Sequence, residues 1–325
     1  MATDSAAGSS GGASAGALAP GTGVIHDIGY QTYDGARYGR RTIALALCTQ
    51  SLRSAFGFGR GAKAKIIPVL AFVIMCAPAV VNAIIMALGR SHSRVISYDA
   101  YVGSLRVLVL VVFIASQAPE LVSRDLRSRV LPLYFARPIR RIDYPLAKYA
   151  AFVLALLAMI DIPVLLLYFG TIMQVHGGAA IWAQTRGVVP GVLVGLMWAV
   201  VLAPIGLALA SVSGRRAFST GSVAIFMFMS WTLTLVLTRI AASTGPRGTG
   251  AHLSSTAQVS AAEHLFGLIS PFTVLDGVRQ WLGGTSPGVV ADPGRYGLAY
   301  GVMLLAFLAV SLAALIRRYA SVSVS

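Results

Sequence analysis

Six long apolar stretches alternate with polar segments along this 325-residue chain. A helix needs about 20 predominantly apolar residues to cross a bilayer, and each stretch approaches or exceeds that length. They cover residues 66–89, 101–121, 150–173, 188–212, 220–238 and 296–316. The pattern therefore predicts an all-α polytopic membrane protein with six transmembrane helices.

The composition favours the same class. Hydrophobic residues make up 56% of the chain and charged residues only 11%, whereas about a quarter of a soluble domain is charged. The net charge of +15 would also suit nucleic acid. The basic residues, however, flank the apolar stretches, where lipid and topology explain them. We therefore expect contact with membrane lipid and none with nucleic acid.

The distribution of basic residues predicts the orientation. Lys and Arg near membrane spans are retained in the cytoplasm. With the amino terminus inside, eighteen basic residues fall on the inner side and seven on the outer side, and Arg106 lies within a span. Both termini are therefore predicted to be cytoplasmic.

Three segments outside the spans have distinct patterns. Residues 1–36 are rich in Gly, Ala and Ser, which predicts a disordered tail, and residues 317–325 form a second cytoplasmic tail. Residues 37–65 predict an amphipathic helix in the membrane interface. Its apolar positions recur at three- and four-residue spacing: Leu45, Cys48, Leu52 and Phe56.

The outer segment 240–295 begins polar and Gly-rich, then becomes apolar. Pro271, Asp276 and Arg279 interrupt the apolar part, so it does not suit a seventh span. Two interpretations remain: a re-entrant helix pair covered by protein, or a helix lying on the lipid surface.

The segment 119–148 has the most distinctive pattern. It reads PELVSRDLRSRVLPLYFARPIRRIDYPLAK, with six arginines and one lysine against three acidic residues. Between its charged parts lies an apolar cluster that a merely solvated loop does not need: Val130, Leu131, Leu133, Tyr134 and Phe135. A short helix that contacts a partner would need such a cluster. The alternative is an ordinary basic loop retained in the cytoplasm.

The segment has an acidic residue at the end of a span and continues with SRDLRS, LPLYF and RPIRRIDYPLAK. This pattern resembles the cytoplasmic loop of ATP-binding-cassette (ABC) type-2 permeases. These are the membrane subunits of ABC exporters, and their loop forms a coupling helix that docks on a separate ATPase. The resemblance implies that the coupling residues are Glu120, Arg124, Asp125, Arg127, Leu131, Leu133, Tyr134 and Arg137. It also implies that residues 37–65 form an elbow helix and that residues 240–295 contain a re-entrant element.

The same resemblance implies the partners and the location. Two copies of an ABC ATPase subunit would bind ATP and Mg, and a second permease, identical or related, would complete the transporter. The complex would lie in the bacterial inner membrane. It would export a hydrophobic or amphipathic substrate.

The chain has no recognisable catalytic motif. An ATPase loop needs the spacing GxxxxGK[ST] to surround phosphate with backbone amides, and GFGRGAKAK at residues 57–65 lacks it. The five histidines are scattered, and Cys48 and Cys76 form no metal or redox motif. We therefore predict that the chain is not an enzyme and holds no cofactor.

Ionisable residues inside a bilayer are costly and usually functional. Asp161 lies near the middle of the third span, and it either faces a substrate path or forms a structural contact. Arg106 either extends outward to the interface or pairs with Asp161. An ion-coupled secondary transporter with Asp161 as proton carrier, and a membrane assembly protein without transport, are the alternative functions.

The resemblance implies that the second and fifth spans line the path between two permeases. The candidate path residues are Gln117, Asp161, Phe226, Phe228 and Trp231. Aromatic side chains there suit either varied apolar ligands or plain packing against lipid. Gly187, Gly191 and Gly195 recur every four residues, which predicts a close helix contact within this chain or with another.

Overall fold

The computed structural model describes residues 35, 39–89, 96–99, 101, 104–128, 139–213, 215–244, 261–284, 288 and 292–320. All regular structure within these residues is helical. In chain order the α-helices are α1 (Arg40–Ala55), α2 (Ala62–Ala87), α3 (Ser104–Arg127), α4 (Asp143–Ile172), α5 (Gly178–Ser211), α6 (Arg216–Thr244), α7 (Ala261–Gly267), α8 (Pro271–Trp281) and α9 (Gly297–Ala320), and a 3₁₀ turn (Gly294–Tyr296) precedes α9.

Helices α2, α3, α4, α5, α6 and α9 are each long and apolar enough to cross a membrane. They coincide with the six predicted stretches, so the prediction of an all-helical, multi-pass membrane protein is confirmed. Four helices begin earlier than predicted, and the differences are largest for α4, which begins at Asp143, and α5, which begins at Gly178. Their first turns contain charged and polar side chains. The helix nevertheless begins before the apolar residues, because backbone hydrogen bonds do not depend on hydropathy.

Helix α3 is the most buried of the six. It packs against α1, α2, α5 and α6, and Leu110, Phe113 and Ile114 in its middle are fully buried. It also continues through Pro119 to Arg127. The first nine residues of segment 119–148 are therefore the end of this central helix.

Gly195 sets the distance between α4 and α5, as the glycine spacing predicted, whereas Gly191 faces the segment before α3. A Cβ atom on Gly195 would meet the carboxylate of Asp161, and one on Gly191 would lie 2.8 Å from the Cβ atom of Tyr98. Both neighbours belong to this chain. The sequence had left open whether such contacts were internal.

Helix α1 packs against α4 and α3. Cys48, Leu52 and Phe56 are partly buried against the core, but Leu45 is exposed and the most buried positions are Leu47, Ser51 and Ala55, so the buried face is shifted by one position from the predicted one. The guanidinium of Arg40 donates two hydrogen bonds to Asp143 at the start of α4. This carboxylate raises the pKa of Arg40, and the contact joins the first helix to the fourth.

The described residues of segment 240–295 include two short helices, α7 and α8. Ser270 caps α8, and its hydroxyl accepts a hydrogen bond from the Phe272 amide. The Phe272 ring lies 5.9 Å from that of Trp198, twenty residues along α5, and Thr273 donates to the carbonyl of Gly267. Helix α8 thus begins beside the middle of α5, and all residues from Pro271 to Arg279 are buried.

Candidate functional site

One end of the helix bundle carries most of the ion pairs among the described residues. Here α3, α5 and α9 end, and α2, α4 and α6 begin, as the contacts below show. We call it the basic end, and the other end of these helices the opposite end. Segment 119–148 starts and finishes at the basic end.

Glu120 in α3 is almost fully buried and connects three elements. Its carboxylate lies 2.8 Å from Arg60, which precedes α2, and 2.5 Å from Arg216, the first residue of α6. Two guanidinium groups on one carboxylate compensate much of the cost of burying its charge. Any shift of this part of α3 would therefore displace α2 and α6 or break both pairs.

Asp125, five residues further along α3, is held by α4. Its carboxylate lies 2.9 Å from the Lys148 ammonium and accepts a 2.6 Å hydrogen bond from the Tyr144 hydroxyl. The Tyr144 ring packs on that of Tyr319 near the end of α9, with centroids 5.1 Å apart. The end of α3 is thus joined to α4 directly and to α9 through one aromatic contact.

A group of hydroxyls completes the connection to α5 and α6. The Ser123 Oγ atom lies 3.0 Å from the carbonyl of Ala210 and 2.9 Å from the Ser219 hydroxyl, and Ser219 donates to the carbonyl of Ser213. Ser123 and Ser219 are fully buried. Between Glu120 and Asp125, α3 therefore has polar contacts with α4, α5, α6 and the residue Arg60 before α2, and it reaches α9 only through the aromatic contact of Tyr144.

The residues expected to couple to an ATPase divide into two groups. Glu120 and Asp125 form ion pairs inside the chain, with partners other than Arg124 and Arg127, which are exposed. The remaining four lie in residues 129–138, outside the described residues: Leu131, Leu133, Tyr134 and Arg137.

Sequence reasoning did not find Arg60, Lys148, Tyr144 or Arg216 as members of this network. Their acidic partners lie from 19 to 96 positions away in the chain, so no local spacing connects them. In the sequence, Lys148 was only one of the eighteen basic residues assigned to the inner side. In the structure it is almost fully buried.

The intramembrane candidates are separated. Asp161 lies beside Gly195, and its Oδ1 atom has no hydrogen-bond partner among the described residues. The Arg106 guanidinium stacks on the Tyr101 ring, 4.6 Å from its centroid, near the start of α3. An ion pair between Arg106 and Asp161 is not formed in the described part of the chain.

The other path candidates lie on α3 and α6. Gln117 is buried and donates to the Ser116 hydroxyl. Phe226 and Phe228 are partly exposed on α6, and Phe228 meets Trp231 edge to face. Asp161 belongs to the α4–α5 contact, so the five candidates do not form one compact cluster.

A second buried ionic group lies towards the opposite end. Arg279 in α8 is 4% exposed and pairs with Asp276 at 2.9 Å and with Asp99 at 2.8 Å. Beside it is a largely apolar cavity of about 450 Å³ bordered by Leu193 and Met197 of α5. This ionic group fixes α8 to the segment before α3. From the sequence, only the Asp276–Arg279 pair could have been expected, because these residues are three positions apart.

Gly195→Ala is expected to destabilise the protein. Its Cβ atom would press on the Asp161 carboxylate and lie 3.1 Å from Ile160, and overpacking of this kind costs about 1–3 kcal/mol. The midpoint of thermal unfolding in detergent should fall by several degrees. Gly178→Ala, at the open start of the same helix, is the control and should lower nothing.

The same contact predicts a rescue. Asp161→Ala removes the obstructing atoms, so the loss caused by Gly195→Ala should largely disappear in that background. Equal losses in both backgrounds would show that the two residues do not press on each other.

No known protein family model matches this chain, and no curated protein matches it.

Proposed function

We propose that this chain is the transmembrane permease subunit of an ABC transporter. It would export a hydrophobic or amphipathic substrate with ATP hydrolysed by a separate subunit. Two ATPase copies, with ATP and Mg, would dock at the basic end, and a second permease would complete the complex. Both termini would lie in the cytoplasm of a bacterial cell.

The network of Glu120 and Asp125 is the observation that supports this proposal most. Both residues belong to the end of α3, from which residues 129–138 continue, and both have partners on other spanning helices. A force applied to that segment would act on the most buried helix and spread through short ionic contacts to α4, to α6 and to Arg60 before α2. A coupling element requires this property, whereas a loop that only sets topology does not.

Two finer assignments belong to the proposal. Helix α1, fixed to α4 by the Arg40–Asp143 pair, would be the elbow helix in the interface. Helices α7 and α8 would be the re-entrant element, because α8 begins beside the middle of α5 and is buried in protein along most of its length. Covered backbone of this kind is tolerated at membrane depth.

The direct test is purification of the tagged chain in mild detergent from its native cells. An ABC ATPase should be retained at about one copy per permease, and the complex should hydrolyse ATP. Purification of the chain without any ATPase, from cells that make it at normal levels, would contradict the proposal.

The Oδ1 atom of Asp161 has no hydrogen-bond partner among the described residues, and this observation favours the ion-coupled alternative. Asp161→Asn preserves size and hydrogen bonding but removes the titratable group. In proteoliposomes of the whole complex, we expect the variant to keep at least about half of the wild-type ATP turnover, because ATP and not a proton drives the cycle.

Proton flux measured with a pH-sensitive dye on the same vesicles separates the two functions. We expect wild type and variant to match protein-free vesicles. A proton flux that depends on the wild-type chain and disappears in Asp161→Asn would instead establish a proton carrier.

A further inference from the structure

A groove of about 860 Å³ lies at the basic end between α2, α3 and the start of α6. Its charged lining is entirely basic: Arg127, Arg215 and Arg216. The rest of its lining is small or apolar and includes Ile67, Ser116 and Gly221. Arg127 is also one of the predicted coupling residues and Arg216 belongs to the network around Glu120, but the proposed function assigns no ligand to the groove itself.

The charges in the groove are only partly neutralised. Arg216 pairs with Glu120, whereas Arg127 and Arg215 are exposed and form no ion pair within the part of the chain that the structure describes. Two uncompensated guanidinium groups at one mouth attract an anion, and their planar forks suit the oxygens of a phosphate. The first turn of α6 adds backbone amides on the same side.

The groove also has a direction. Ser116 and Arg127 are eleven residues apart on one helix, which places them about 16 Å from each other along its axis. The basic residues lie at the helix ends, Ile67 and Gly221 lie five residues inside α2 and α6, and Ser116 lies in the middle of α3. A ligand that fills this shape has an anionic head at the helix ends and a hydrocarbon chain that enters the bundle.

Small side chains make the apolar part accessible. A Cβ atom on Gly221 would meet nothing within 4 Å, so the wall of the groove is open at this position. Ile67, on the adjacent face of α2, is itself substantially exposed and supplies the apolar surface opposite. The room is sufficient for an acyl chain, whereas a free phosphate would leave it empty.

We propose that this groove binds an anionic phospholipid from the leaflet at the basic end. Arg127 and Arg215 hold the headgroup phosphate, and the surface around Ile67 and Gly221 receives an acyl chain. Basic pockets between membrane helices are suited to anionic headgroups. The proposal does not depend on an ATPase partner, because all these residues belong to this chain.

The test is a lipid titration of the purified full-length chain in detergent, read by native mass spectrometry. The first dioleoyl phosphatidylglycerol should bind at least tenfold more tightly than the first dioleoyl phosphatidylcholine. R127Q/R215Q should weaken phosphatidylglycerol binding about thirtyfold, which is about 1 kcal/mol for each arginine. R41Q/R53Q removes two exposed arginines of α1 outside the groove and should change the affinity for phosphatidylglycerol less than threefold.

Gly221→Leu tests the apolar half, because it fills the groove and leaves every charge in place. It should weaken phosphatidylglycerol binding at least tenfold, and inorganic phosphate at 10 mM should not displace the lipid. Normal lipid binding by Gly221→Leu together with displacement by phosphate would identify a free-anion site and overturn the proposal. Equal losses in R127Q/R215Q and R41Q/R53Q, or no loss in either, would overturn it as well.

Discussion

Replacing both Leu133 and Tyr134 by serine is expected to release the ATPase subunit on purification, or to leave it bound without stimulation by substrate. Buried apolar anchors supply most of the free energy of an interface, while charges at its rim mainly set encounter and orientation. These two residues are the centre of the apolar cluster in segment 119–148. Their loss should therefore cost more than the loss of any single arginine there.

The measurement is a pull-down with ATP turnover recorded on the same sample. We expect retained ATPase to fall at least tenfold, or turnover to fall to the unstimulated rate. Arg140→Gln, in the same segment but outside the predicted coupling residues, is the matched control and should keep most of the association and most of the turnover. The double variant should still insert into the membrane, because the segment lies outside the six apolar stretches. Full association and full turnover in the double variant would mean that the segment only sets the membrane topology and does not contact the ATPase.

Lys148→Met should be the most destabilising single substitution at the basic end. It leaves the buried carboxylate of Asp125 with the Tyr144 hydroxyl alone, and removing one partner of a buried ion pair costs about 3–5 kcal/mol. The thermal midpoint in detergent should fall by about 10 °C. Arg124→Met, next to Asp125 on α3 but exposed, removes an equal charge and should lower the midpoint by less than 2 °C.

A second substitution distinguishes charge from packing. In D125N/K148M the buried charges are gone, and the asparagine oxygen still accepts the Tyr144 hydrogen bond. Replacing a buried pair by neutral groups of similar size is often nearly neutral, so most of the lost stability should return. A double variant as unstable as Lys148→Met would mean that the lysine acts through its packing and not through its charge.

The sequence predicted the spanning helices because hydropathy acts locally. Twenty apolar residues have the same meaning wherever they occur, and the spacing of Gly191 and Gly195 likewise predicted a close contact. Helix ends were predicted less well. Residues such as Gln184 and Arg186 lower the hydropathy without ending α5.

The network at the basic end could not be predicted in the same way. Glu120 was identified as important, but its partners Arg60 and Arg216 are 60 and 96 positions away. A basic residue that sets topology and one that neutralises a buried carboxylate have the same letter in the sequence. Only the packing of α3 between the other helices distinguishes them.

The same reasoning explains why Arg279 was interpreted only as an interruption of an apolar segment. Arg279 pairs with Asp99, 180 positions away, and this pairing compensates the charge of Arg279 inside the protein. A broken apolar pattern can therefore indicate a helix buried in protein.

The central claim is that segment 119–148 contacts an ABC ATPase, and site-specific photocrosslinking in living cells tests it most directly. A photoreactive amino acid would replace Leu133, with Trp182, exposed at the opposite end, as the control position. We predict a crosslink from position 133 to a protein whose peptides contain GxxxxGK[ST], and none to that protein from position 182. Crosslinks from position 133 only to lipid or to this chain would contradict the claim.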